Sequence, residues 1–199
     1  MKINKYAVAL VSFGVAVSAA QAQNLILNGS FGTGNLTDWN ATGSIGISPV
    51  EGVAPGDTEA ALFNSGNAAP TGVLSQSFAT TPGADYTLTF DYGTYGAPGV
   101  GGQTLDVEVS GSSTLVNTTA TSPAGGFNTP FELFTLDFTA DSSSTVLMFT
   151  DSPGNNTMGN DGVLDNVSVV DPPVPDASST AMLCGMGLGA LAWIRRKLV

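Results

Sequence analysis

Residues 85–92 alternate strictly, with Tyr86, Leu88, Phe90 and Tyr92 on one side and Thr87, Thr89 and Asp91 on the other. A period of two is the mark of an extended strand with one covered face and one wet face. Residues 103–109 repeat it, setting Leu105, Val107 and Val109 against Asp106 and Glu108, and residues 131–139 set Phe134, Leu136 and Phe138 against Thr135 and Asp137. Residues 144–150 are more continuously apolar, as in a central strand. Weaker runs at 25–28, 44–48, 60–64, 73–78, 114–117 and 163–170 lie between Gly-, Asn- and Ser-rich turn signals. No stretch between 24 and 170 sustains a 3.6 period. The expectation is an all-β domain of eight to ten short antiparallel strands, a β-sandwich of jelly-roll type, with its most irregular loops at 93–102 and 152–162.

The two ends break this pattern. Lys2 and Lys5 precede an apolar stretch from 6 to 17, and Ala20 and Ala22 then supply the small residues a signal peptidase needs. A signal peptide is expected over 1–22, with the mature chain starting at Gln23. At the other end, 171–176 reads DPPVPD, an extended linker because each proline fixes its own φ and disfavours helix before it. The segment 177–194 would rise about 27 Å as a helix, close to the span of a bilayer core. One transmembrane helix is expected there, closed by Arg195, Arg196 and Lys197 in the tail 195–199. That basic cluster keeps the tail cytoplasmic and turns the domain 23–170 outward.

Charge sharpens the division. The 199 residues carry a net charge of −11, and the 5 basic residues are all terminal, while the 16 acidic ones lie between Asp38 and Asp176. From Gln23 to Asp176 there is no Lys, Arg, His or Cys. Such a domain cannot neutralise phosphates, which excludes nucleic-acid binding, and it has no His-assisted nucleophile, thiolate or disulfide. Its chemistry is limited to carboxylates, amides, hydroxyls and backbone groups. These suit calcium or the hydroxyls of sugars.

The tail, with Val174, Pro175 and Asp176 before a short Gly/Ala/Leu helix and a terminal basic cluster, resembles the PEP-CTERM class of sorting signals in its Val-Pro-Asp variant. Ala177 and Ser178 stand where that variant usually has Ser-Gly. The resemblance implies processing by an exosortase-type membrane protease, passage through the inner membrane facing outward, and delivery to the cell surface or extracellular matrix of a polysaccharide-producing bacterium. Within the domain, NLILNGSFGTGNLTDW (24–39), LSQSFATTPGADYTLTFDY (74–92) and GNDGVLDNVSVV (159–170) resemble segments of galactose-binding-like jelly rolls and carbohydrate-binding modules. That resemblance implies a structural calcium with Asp165 of the final strand as a ligand. Gly32 stands where the partner carboxylate is expected, and Asp161 and Asn166 are oxygen donors nearby in sequence.

For a sugar ligand, Tyr92 and Tyr95 flank a Gly-rich loop as a candidate aromatic platform, and Asn156 is a candidate hydroxyl partner. Tyr86, Phe90 and Trp39 are expected in the core. No acidic pair stands in a recognisable catalytic motif, so the expected function is non-catalytic: an exported protein whose sandwich contacts extracellular polysaccharide. The alternatives are a structural or adhesive surface protein with protein partners and, less favoured, a carboxylate-dependent glycoside hydrolase.

Overall fold

The alternation of apolar and polar residues becomes ten strands in a computed structural model, which describes residues 23–48 and 58–171. They are β1 Asn40–Thr42, β2 Ile45–Ser48, β3 Ala60–Phe63, β4 Val73–Ala79, β5 Asp85–Gly96, β6 Thr104–Ser110, β7 Thr114–Thr121, β8 Phe131–Thr139, β9 Ser144–Asp151 and β10 Asn160–Val170. Two five-stranded sheets form, ordered β1-β4-β9-β6-β7 and β2-β3-β10-β5-β8, with antiparallel neighbours throughout. The chain passes repeatedly from one sheet to the other, as in a jelly roll. Among the described residues no helix is long and apolar enough to cross a membrane. The expected signal peptide, the linker and sorting motif from 172 onward, the apolar segment 177–194 and the basic tail lie outside the described residues, as do residues 49–57.

The core lies between the sheets. Leu74 and Phe78 of β4, Leu105, Val107 and Val109 of β6, and Leu147 and Phe149 of β9 meet Tyr86, Leu88, Phe90 and Tyr92 of β5 and Leu164, Val167 and Val169 of β10. Phe90 and Phe149 join the two sheets edge to face, with ring centroids 5.0 Å apart. Trp39 packs on Phe31 and Phe149, and its indole N–H donates to the Asn28 carbonyl at 3.1 Å. The core placement of Tyr86, Phe90 and Trp39 follows the sequence expectation.

The first expected strand, 25–28, is not a strand. The Leu25 N–H donates to the Val169 carbonyl at 2.8 Å, and the rest of the segment's pairing comes from side-chain amides, each of which carries a donor and an acceptor as a peptide group does. Asn24 Oδ1 accepts from the Ile26 and Val169 N–H groups at 2.9 and 3.0 Å, and its Nδ2 donates to the Val167 carbonyl at 3.2 Å. Gln76 of β4 accepts from the Leu27 N–H at 2.8 Å and donates to the Leu27 carbonyl at 2.9 Å. Asn28 and Phe31, at φ 50° and 53°, then turn the chain away. The segment is a strap fastened to β4 of one sheet and β10 of the other.

Two further differences have simple causes. β1 is three exposed residues, Asn40, Ala41 and Thr42, so no apolar alternation announces it. β5 and β10 extend into the expected loops as far as Gly96 and back to Asn160 because these ends pair with each other, Asn160 opposite Gly96. A bulge in β10 between Asp165 and Ser168, with Asn166 at φ 51°, resets the alternation so that Val167 and Val169 still face inward.

Candidate functional site

The register of β5, β8 and β10 fixes what the second sheet shows to solvent. Tyr95, Gly93 and Asp91 of β5 lie opposite Asp161, Val163 and Asp165 of β10, and Gly93 lies opposite Phe131 of β8. Tyr95 and Phe131 rest on Ala60, Leu62 and Val163, a small apolar cluster on the outside of the sheet. Phe127, in the loop after β7, lies 6.3 Å from the Tyr95 ring at a tilt of 59° and is 64% exposed. Tyr95 is half-buried. The pair forms an aromatic ledge at the open end of the outer face.

Of the candidate sugar contacts, Tyr95 therefore stands at the surface and Tyr92 does not. Tyr92 is fully buried, because it continues the inward alternation of Tyr86, Leu88 and Phe90, and this corrects its expected place on the platform. Burial, with the negative charge of Asp151 nearby, raises its hydroxyl pKa well above the usual value. Asn156 is exposed in the loop between β9 and β10. Its side-chain oxygen accepts from the Met158 N–H at 3.2 Å and its carbonyl accepts from Gln103 Nε2 at 2.7 Å, so it shapes its own loop. Phe127 was not among the sequence candidates. The only signal for it is a lone aromatic following Gly125-Gly126.

Asp161 and Asp165 share the outer face of β10 but stand four residues apart on an extended strand, about 13 Å, too far to hold one ion together. Asp165 is fully buried and accepts from the Asn166 N–H at 2.8 Å. Asp91 faces it across the ladder and accepts from Asn166 Nδ2 at 3.0 Å. Among the described residues no three His, Cys, Asp or Glu side chains gather as a metal cluster.

Acidic groups elsewhere on the sandwich are engaged by hydroxyls. Thr87 donates to Asp137 at 2.7 Å and Thr139 donates to Asp85 at 2.6 Å, a cross-strand lattice on the outer face of β5 and β8. At the turn end, Asp141 accepts from the Ser112 and Ser113 N–H groups at 2.9 Å each and from the Ser113 hydroxyl at 2.7 Å. The Ser113 hydroxyl above all, with the other bonds, lowers the Asp141 pKa from 3.8 to about 2.

The opposite end of the space between the sheets is polar. Asn64, Gln103, Asp151 and Asn160 are each buried to within 2% of complete, as is Tyr92. Asn64 follows β3 at φ 70°, and the other three each lie at the end of an inward-facing row: Gln103 precedes Leu105, Val107 and Val109, Asp151 follows Leu147 and Phe149, and Asn160 precedes Gly162 and Leu164. That parity is the sequence signal for them.

Residues 173–198 match the VPDSG-CTERM motif, a PEP-CTERM-like sorting signal. No curated protein matches the chain. Among solved structures, "Family 16 Carbohydrate Binding Module-2" is 19% identical with a TM-score of 0.53, covering 74% of this chain and 100% of that one. The CBM22-1 xylan-binding domain from Paenibacillus barcinonensis Xyn10C is 13% identical with a TM-score of 0.53, covering 79% and 99%. The enzymatically active domain of the bacteriophage CBA120 tailspike protein 4 is 14% identical with a TM-score of 0.51, covering 73% of this chain but 21% of its own length. At these identities the likeness is one of fold: the sandwich has the jelly-roll architecture of carbohydrate-binding modules.

Proposed function

We propose that this protein is exported, processed at its C-terminal sorting signal by an exosortase-type protease, and displayed at the cell surface or in the extracellular matrix, where its non-catalytic sandwich contacts polysaccharide. The observation that carries the reading is a conjunction: a sorting motif at 173–198 on a chain whose sandwich presents the Tyr95–Phe127 ledge at an open end. Aromatic rings of this kind stack on the apolar faces of sugar rings, and the carboxylates and amides around them can hydrogen-bond hydroxyls. The xylan-binding and family 16 modules with the same architecture support the sugar class without fixing the sugar.

In this reading signal peptidase cuts after Ala22, Val174, Pro175 and Asp176 form the recognition motif, and Arg195, Arg196 and Lys197 hold the tail on the cytoplasmic side until sorting. Calcium is proposed as a structural ion at Asp165, with Asp91 as its cross-strand neighbour; Asp161 stands too far along β10 to share it.

The test is binding of the exported protein to the polysaccharide of its own producing cells. Retention of the wild type, with at least a ten-fold loss in Phe127→Ala and Tyr95→Ala at unchanged melting temperature, is the expected result. Equal retention of all three sinks the glycan reading and leaves the adhesive alternative; sugar release from the polymer would instead revive the hydrolase. For sorting, deletion of 195–197 or replacement of Pro175 is expected to strand the protein in the inner membrane with its tail attached, as read by fractionation and intact mass.

A further inference from the structure

The polar end of the inter-sheet space has a chemistry that the glycan reading does not use. Asp151 Oδ1 accepts from Asn155 Nδ2 at 2.6 Å, but Asp151 Oδ2 is buried with no hydrogen-bond partner. Both amide atoms of Asn64, both of Asn160, Gln103 Oε1 and the Tyr92 hydroxyl are likewise buried without partners. These groups converge. Tyr92 feels the charge of Asp151, and the Asn64 amide acts on the same carboxylate from outside hydrogen-bonding geometry. Gly162, which lies opposite Phe63 just before Asn64, has the Tyr92 hydroxyl 2.5 Å from where a Cβ would stand. Gln103 is bonded to Asn156, next to Asn155.

A buried carboxylate oxygen normally finds a cationic side chain or a backbone donor, because an isolated buried charge costs several kcal/mol. Between Gln23 and Asp176 this chain has no cationic side chain. Burial first, and the charge of Asp106 last, push the Asp151 pKa upward, against the pull of Asn155 and Asn64. What remains is one charged oxygen, three amide side chains that can turn an oxygen inward, and a neutral phenol. That is the donor set of a hard cation, which takes six to eight oxygens of mixed origin.

We propose that the polar end of the sandwich binds one hard cation of the calcium class through Asp151 Oδ2 and the amide oxygens of Asn64, Asn160 and Gln103, with water completing the shell. The site is distinct from Asp165, which faces out from the other side of its sheet. With a single carboxylate, its affinity belongs to the weak range of extracellular modules, about 10⁻⁴ to 10⁻³ M.

The exported protein, stripped with EDTA and titrated with calcium chloride, tests this by its melting temperature and by calorimetry. At ten times the dissociation constant the folded-to-unfolded ratio rises about eleven-fold, seen as an increase of about 3–6 °C. In an Asp165→Asn background, where only this site remains, Asp151→Asn should abolish the increment while still melting cooperatively in EDTA, and Asp165→Asn alone should keep a calcium-dependent rise. Asn160→Asp, which adds a second carboxylate, should tighten calcium about ten-fold or more. No calcium-dependent rise in the wild type, meaning that water alone fills the space, would overturn the proposal. A full rise retained by Asp151→Asn in that background would also overturn it, placing the ion elsewhere. Neither result depends on glycan binding.

Discussion

Strand β9 runs between two ends of the sandwich that treat a carboxylate in opposite ways. Just before it, Asp141 is exposed and gathers three donors from the β6–β7 turn, which hold its pKa down at about 2. At its far end, Asp151 is buried, keeps one oxygen unpartnered, and has its pKa raised. In a domain without cationic side chains, an acid is stabilised either by backbone and hydroxyl donors at the surface or by something brought from outside. The first end is complete in itself. The second is not.

The largest effect should come where the ends share a core. Phe149 sits in β9 between them, against Phe90 and Trp39. Phe149→Ala is expected to cost about 3–5 kcal/mol in urea denaturation and to erase the contrast by loosening both ends together. Next come the glycines. At the polar end a Cβ on Gly96 would stand 2.8 Å from the Gly159 carbonyl and 2.6 Å from Asn160 Oδ1, so Gly96→Ala should cost about 1–3 kcal/mol and weaken any calcium response. At the turn end Gly83 has open space and φ 82°, so Gly83→Ala should cost about 1–2 kcal/mol from backbone strain alone, with the calcium response intact.

The pH predictions have opposite signs. Asp151, raised in the fold, contributes stability that is fully present below 3.8 and lost as pH climbs through its folded value. In EDTA the wild type should therefore weaken as pH rises through that range, and Asp151→Asn should not. Asp141, lowered in the fold, contributes stability present above 3.8 and lost as pH falls through about 2. Asp141→Asn should flatten that acid limb, the smallest of these effects because the group is exposed. Melting curves taken across the pH range read both.

The same contrast explains what could be read from the chain. Alternation located β5, β6 and β8, because a half-covered strand has to write its two faces into every second residue, and a more continuous apolar run located β9. The same alternation runs through Tyr92, whose expected place on the platform rested on its position beside a Gly-rich loop and is overturned by its full burial. The segment 25–28 looked like a strand, with Leu25 and Ile26 ready to pack, but beyond the Leu25 bond to Val169 its pairing comes from Asn24 and Gln76, and Gln76 is 49 residues away from Leu27. At the polar end only Gln103, Asp151 and Asn160 were legible, and only as parity. Asn64, Gln103, Asp151 and Asn160 come from four different strand ends, and no local spacing joins them. Phe127 and Tyr95 meet for a similar reason, through a loop that crosses to β5 at a single bridge between Tyr95 and Gly126.

β10 is the last strand among the described residues, and it lies in the middle of its sheet, between β3 and β5. Any force applied to the chain beyond Val170 would enter the domain along this strand. Its hydrogen bonds to both neighbours run across the direction of pull, so they must fail together in shear instead of parting one by one as at a free edge. A tether leaving from the centre of a sheet resists flow and shaking far better than one leaving from its rim.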